Sequence, residues 1–132
     1  HGDLTSPIGR PMAVTLGSFV FDCADITRAS SFYSELTGWP VESVEDDWID
    51  LRAAPGISVS FQLAPNHVPP QWPDPNFPQQ VHIDFDVPLA DFDAEHERAI
   101  SLGATLLDDS STHPSFRVFA DPAGHPFCLC AH

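Results

Sequence analysis

The feature that most constrains this chain is that it resembles itself. Ser18-Phe-Val-Phe-Asp-Cys23 lines up with His82-Ile-Asp-Phe-Asp-Val87 at an offset of 64 residues. In both segments the apolar side chains fall at alternate places: Phe19, Phe21 and Cys23 in one, Ile83, Phe85 and Val87 in the other. A period of two is the mark of a strand with one packed and one polar face. The segment after each strand repeats as well. Asp25 is placed to cap a helix whose stripe is Ile26, Ala29, Phe32, Tyr33 and Leu36, with Gly38 as its stop. Segment 91–102 repeats the pattern with Phe92, His96, Ala99 and Ile100, closed by Gly103. His96 takes the place of Phe32, so a core or semi-buried histidine is expected there, ahead of a catalytic one.

Each copy then ends in a hairpin. Trp48–Arg52 turns at Pro55-Gly56 into Ile57–Leu63, and Phe116–Phe119 turns at Asp121-Pro-Ala-Gly124 into Pro126–Cys130. Short strands at 41–44 and 104–108 complete the pattern in each half. The expected fold class is therefore α+β, with two tandem βαβββ modules at 12–63 and 81–132. Between them, 64–80 holds six of the 14 prolines, which excludes a helix or a central strand. A semi-rigid extended linker is expected, with Trp72 and Phe77 lying on the protein, over a pocket mouth or against a partner chain. Packing is favoured there over gating of a ligand. Residues 1–11 are expected to be a tail or a tag remnant outside the fold.

Composition narrows the function classes. Nineteen Asp and Glu stand against five basic residues, all arginine (10, 28, 52, 98 and 117), giving a formal charge of −14. Phosphate binding needs the opposite balance, so nucleic-acid and anionic-membrane partners are excluded. No apolar run approaches the roughly 18 residues of a spanning helix. Three cysteines (23, 128 and 130) without a secretory pattern fit reduced thiols in a cytoplasm, where the chain is expected to reside. Nucleophile elbow, P-loop, dinucleotide fingerprint and CxxC pair do not occur, so hydrolase triads and nucleotide enzymes are unsupported.

Three segments carry a resemblance to a known family: FYSELTGW (32–39), HIDFDV (82–87) and DPAGHPFCL (121–129). In this order and at repeat spacing they resemble the vicinal oxygen chelate superfamily, which includes glyoxalase I, bleomycin-resistance proteins, fosfomycin-resistance enzymes and extradiol dioxygenases. The nearest likeness is to the actinobacterial glyoxalase-like group. The resemblance covers roughly 12–131 and implies a cup formed by the two sheets, with a divalent metal held by the first and last strands of each module. Carried over, the metal positions are Ser18, Gln62, His82 and Cys128, the last standing where the family has Glu. Strand alternation turns the same four toward the cup. Only His82 is a strong neutral donor, and one Cys with one His falls short of the usual three or four protein ligands. No cofactor is therefore expected, and a divalent metal (Zn, Ni, Mn or Fe) is the lesser alternative.

The same alternation places Trp48, Asp50, Arg52, Arg117 and Phe119 inward, with Asp22, Ser60, Asp84 and Asp86. Arg52 and Arg117 are read as repeat counterparts, 65 residues apart. They either neutralise the inward carboxylates or hold an anionic group of a ligand. His82 is the candidate acid or base, with Asp84 two residues on and Gln62 as a hydrogen-bond orienter. Cys128 is a weaker candidate nucleophile, and His125 a turn residue bonding backbone. The expected function is a glyoxalase-like protein, homodimeric, with one cup per chain for a small molecule, acting as a lyase or isomerase through His82. The alternatives are a non-catalytic sequestering protein of the bleomycin-resistance type and a metal-dependent glyoxalase or dioxygenase.

Overall fold

The computed structural model describes residues 13–109 and 111–132; the expected tail at 1–11 lies outside them. Two four-stranded sheets are present. The first has strands β1 (Ser18–Cys23), β2 (Val41–Val44), β3 (Trp48–Ala54) and β4 (Ile57–Leu63), with helix α1 (Ile26–Thr37) after β1. The second has β5 (Ile83–Val87), β6 (Thr105–Asp108), β7 (Phe116–Ala120) and β8 (Pro126–Ala131), with α2 (Phe92–Leu102) after β5 and a short 3-10 turn. Strand order is β1-β4-β3-β2 in one sheet and β5-β8-β7-β6 in the other. In each, the first strand runs parallel to the last and the remaining pairs are antiparallel. Two βαβββ modules are thus present, as the repeat predicts.

The helices start and stop for the expected local reasons. Asp25 Oδ1 accepts the Arg28 N–H at 3.0 Å, so an otherwise unpaired donor of the first turn is satisfied. Gly38 closes α1 at φ 79°, a left-handed conformation that costs a residue with a Cβ about 1 kcal/mol or more. The apolar stripe of α1 is buried in the first sheet's packed face, with Phe32 and Tyr33 at 2% and 0% exposure.

The two modules share one core. The Tyr33 ring stacks on Phe21 and Phe61 of the first sheet and meets Phe85 and Phe127 of the second, at centroid distances of 5.8–6.2 Å. Its hydroxyl donates to the buried Asp121 at 2.6 Å. Phe32 also packs on Phe127, and Arg98 of α2 donates to the Glu35 and Leu36 carbonyls at the end of α1. The apolar faces of both sheets therefore look toward the same interior. Their polar faces are turned outward, on separate sides of the molecule. The alternation leaves open whether a cup lies within one chain or between two; in this chain the sheets meet through their apolar faces, with Tyr33 of α1 between Phe61 and Phe85.

Candidate functional site

On the first sheet the polar face closes on itself. Asp50, on β3, accepts from Trp48 Nε1 and from the Ser43 hydroxyl, both at 2.7 Å, and from the Ser60 hydroxyl on β4. Ser60 and Ser18 share a further hydrogen bond of 2.7 Å. Burial alone would raise the Asp50 carboxyl, but donation from Ser60, Ser43 and Trp48, with Arg52 nearby, holds it below its usual range. Arg52 pairs with Glu42 across the edge strand, both partly exposed. Gln62 is exposed at the end of β4, opposite Asp22 and Trp48. The hydroxyls of Ser18 and Ser60 are thus committed to one another and to Asp50.

The second sheet is built differently. Register makes Ser60 the counterpart of Cys128, since Val20 pairs with Ser60 as Asp84 pairs with Cys128. Gln62 corresponds to Cys130, not to Cys128. His82, just before β5, and Asp84 share the polar face, with His82 Nε2 at 3.1 Å from Asp84 Oδ1. Cys128 lies beside them, and one donor atom from each of His82, Asp84 and Cys128 falls within 4.8 Å of the others. Burial, then the Asp84 carboxylate, push the Cys128 thiol up to about 12, so it is not an activated nucleophile at neutral pH. All three cysteines are free.

A pocket of about 300 Å³ covers this face. Its walls are Phe116, Val118 and Cys130 from the sheet, and Trp72 and Gln79 from the linker. Gln79 Oε1 is buried without a hydrogen-bond partner, an acceptor in want of a donor. Sequence alone does not single out Gln79, Phe116 or Val118, although β8 alternation places Cys130 on the Cys128 side and Trp72 is expected over a pocket mouth. A larger cavity, about 390 Å³, runs along the open edge of β1 beneath the linker and includes Asp22, His67 and His125. Its two histidines are stacked on each other at 4.9 Å, and His125 on Phe21. This is linker packing: a side chain at Gly124 would collide with Pro69. The converging donors lie in the smaller pocket.

Two residues expected in the cup are not there. Arg117 and Phe119 lie on the apolar face of β7, opposite Leu129 and Phe127. Phe119 is fully buried against Phe127 and His96. Arg117 sits 4.0 Å over the Phe92 ring and donates to Asp93 at 2.8 Å and to His96 Nδ1 at 3.0 Å. The cause is a register count. The connection 109–115 has four residues more than its counterpart 45–47, so the repeat offset grows from 64 to 68 before β7. Arg117 is the counterpart of Ile49, not of Arg52: the 65 residues that separate the two arginines fall three short of the observed offset of 68, and an odd slip reverses the face. His96 is half-buried, as expected, and His125 bonds the backbone of the turn, its carbonyl accepting from Asp121 N–H at 2.8 Å.

The metal implied by the resemblance can be tested against these donors. Within one chain Ser18 and Gln62 stand on a different outward face from His82 and Cys128, so the four do not converge. A hard cation asking for six or more oxygens finds a single carboxylate at His82. The fit is instead to an ion that accepts nitrogen, oxygen and sulfur together.

Known proteins agree with the architecture. A glyoxalase/bleomycin resistance protein/dioxygenase family enzyme from Burkholderia phytofirmans PsJN superposes with a TM-score of 0.70 at 19% identity, covering 89% of this chain and 98% of that one. A possible glyoxalase from Bacillus cereus gives 0.67 at 16%, covering 89% and 99%. A genomically encoded fosfomycin resistance protein from Listeria monocytogenes gives 0.66 at 13%, covering 93% and 95%. No curated protein matches the chain. Among the described residues, no helix is long and apolar enough to cross a membrane. The model of the glyoxalase-like domain matches residues 18–130, and the chain belongs to that family, within the vicinal oxygen chelate superfamily.

Proposed function

We propose that this chain is a cytoplasmic, homodimeric glyoxalase-like protein that binds a small molecule against the polar face of its second sheet. The observation that carries this is the pocket over His82. It has aromatic walls in Trp72 and Phe116, a floor of Cys128 and Val118, and an unpartnered acceptor in Gln79 Oε1. A few convergent polar groups in an apolar hollow are the usual form of a small-molecule site. The charge of −14 draws cations toward it. A dimer accords with the outward-turned faces: the first sheet of one copy set against the second sheet of another would restore a two-sided cup. Arg52 and Gln62 would then reach the ligand from the second copy.

Turnover has one well-placed carrier. In the metal-free chain, His82 with Asp84 beside it can take a proton from a bound molecule and return it, which favours a lyase or isomerase. Sequestration without chemistry is the second reading, favoured by the exposure of both side chains. The test uses bleomycin as a cationic probe and fosfomycin as an anionic one, read by protein fluorescence with Trp72→Phe as the control. One probe is expected to bind one per chain, with Trp72 responsible for the signal change. His82→Ala is expected to weaken it about tenfold, the effect of losing one hydrogen bond to a charged group. Signal changes that persist in Trp72→Phe with unchanged affinity in His82→Ala would overturn the site.

A further inference from the structure

Beyond its first residue, the segment between the modules is joined to neither of them by a hydrogen bond among the described residues. Ala64 N–H donates to the Cys23 carbonyl at 2.8 Å, and β5 begins at Ile83. Between these points the bonds are internal, as in Gln71 N–H to the Phe77 carbonyl at 2.8 Å and Phe77 N–H to the Asp74 carbonyl at 3.1 Å. Side-chain packing seats the segment instead. Trp72 and Gln79 lie over the pocket at His82, Pro69 approaches Gly124 so closely that a Cβ there would stand 2.4 Å from its own, and the His67 ring lies on the His125 ring. We infer that 64–80 is a pH-operated strap over the candidate pocket, seated while the His67–His125 stack is uncharged and released when His67 takes up a proton.

The two rings are held differently. His125 is the fixed member: its ring lies 4.9 Å from Phe21, its backbone N–H donates to Asp121 Oδ1 at 3.0 Å, and its side chain is 14% exposed. Asp121 is itself buried and bonded by the Tyr33 hydroxyl. His67 is the movable member, half-buried, and its ring forms no hydrogen bond among the described residues. The rings stand 4.9 Å apart at 29°. Neutral rings stack favourably in this way, whereas a proton on His67 puts charge into a half-buried contact with no acceptor of its own. Once released, the same ring is hydrated.

The other charged groups facing His67 come from three elements. Asp22 is on β1 and Asp121 in the turn before β8, while Asp25 and Arg28, of opposite sign, stand with His67 around a small hollow at the start of α1. Burial, and then His125, hold His67 below the usual imidazole range, against the pull of Asp22 and Asp121. Seated His67 therefore binds a proton more weakly than a free imidazole, whose value is about 6.5. Seating is complete above that value and is lost as pH falls through the lower, seated one. The seated-to-released ratio changes by at most about tenfold per pH unit, the limit for one proton. Because the strap carries Trp72 and Gln79, its release uncovers the face that holds His82 and Cys128. The strap itself is independent of the small-molecule reading. Only its consequence for a bound molecule, retention at neutral pH and loss in acid, rests on that reading.

The test uses the whole chain without ligand, titrated from about pH 8 to about pH 5, either side of the imidazole range. Two signals report seating: the Trp72 indole N–H resonance, assigned by its loss in Trp72→Phe, and acrylamide quenching of Trp72, taken as the parent minus that variant. The His67 ring resonances report its charge. Both Trp72 signals are expected to follow a one-proton curve that coincides with the His67 titration, with a midpoint below about 6.5 and stronger quenching on the acid side. His67→Phe keeps a stacking ring that cannot take a proton, so it should hold Trp72 in its neutral-pH state throughout. His67→Ala loses the stack and should show the acid level of quenching already at neutral pH. Circular dichroism checks that each variant remains folded. A Trp72 response that survives in His67→Phe, or a Trp72 that stays unchanged while His67 titrates, would overturn the strap. So would His67→Ala quenching that matches the parent at neutral pH. A response lost in His82→Gln but kept in His67→Phe would assign it to the pocket's own histidine and overturn the strap equally. Failure here leaves the small-molecule reading standing, because no ligand is present in the titration.

Discussion

The two sheets are copies in fold and opposites in what their polar faces do. In the first, Ser18, Ser43, Trp48 and Ser60 direct their donors into one ring of bonds that ends at Asp50. In the second, the places matching Ser18, Ser43, Trp48 and Ser60 hold His82, Asp108, Phe116 and Cys128, Val118 stands where Asp50 does, and Asp84 adds a carboxylate on β5. One face has satisfied its polar groups internally. The other leaves an imidazole, a carboxylate and a thiol beside a pocket. A duplicated module can thus keep its packed face unchanged while the outward face turns from structural to chemical, because in a strand alternate residues are nearly independent.

If the modules share one core while differing in outward faces, a cut into that core should remove both at once. Phe127 is fully buried and meets Phe32, Tyr33, Phe85 and Phe119. Phe127→Ala is expected to cost about 3–5 kcal/mol, and urea unfolding should remain one transition. Tryptophan fluorescence reports the first module and linker, and circular dichroism reports both modules. Transitions that separate would mean that the modules are stabilised independently.

A smaller effect tests the faces themselves. Asp50→Asn replaces a carboxylate that accepts three donors by a group that must present an N–H to one of them. The expected cost is about 1–3 kcal/mol. Asp84→Asn, on an exposed side chain, should stay within about 0.5 kcal/mol while its effect falls on binding. Asp50 also carries a pH signature. Its carboxyl lies lower in the folded chain than in the unfolded one, so its contribution is present above the unfolded value and lost as pH falls through the folded one. Urea midpoints below about pH 5 should therefore fall more gently in Asp50→Asn than in the parent chain. Equal slopes would show that the ring of bonds does not stabilise the ionised form.

Legibility in the sequence depends on where periodicity is continuous. Within β1, β4, β5 and β8, alternation assigns every face correctly, because nothing interrupts the count between Phe19 and Phe21 or between Phe127 and Leu129. The helix stripes are legible for the same reason, down to the half-buried His96. Counting fails across the connection before β7, where the offset becomes 68 and the 65 that matches Arg117 to Arg52 is off by three, which reverses Arg117 and Phe119. Whether the polar faces meet in one chain has no periodic signature at all. It depends on Tyr33 and Phe32 reaching the second sheet, a tertiary choice that a strand pattern does not record. The site is half visible: alternation puts His82, Asp84 and Cys128 on one face, yet spacing alone makes Asp84 a partner of His82 and not a third donor.

The smallest expected effect bears on that reversal. Arg117 has 18% of its side chain exposed, and its guanidinium lies over Phe92 while bonding Asp93 and His96. Arg117→Gln loses the ring contact and the charged bonds together, for about 1–2 kcal/mol once the exposure of Asp93 is discounted. Arg52 forms a pair with Glu42 in which both side chains are a third or more exposed. Such pairs contribute at most about 1 kcal/mol and weaken with salt, so Arg52→Gln should be nearly silent at high ionic strength. Urea midpoints of both variants at low and high salt make the comparison. A greater loss in Arg52→Gln, persisting in salt, would restore Arg52 as an interior charge. A silent Arg117→Gln would mean that its place on the apolar face is incidental to the packing of α2, and that the two arginines are equivalent after all.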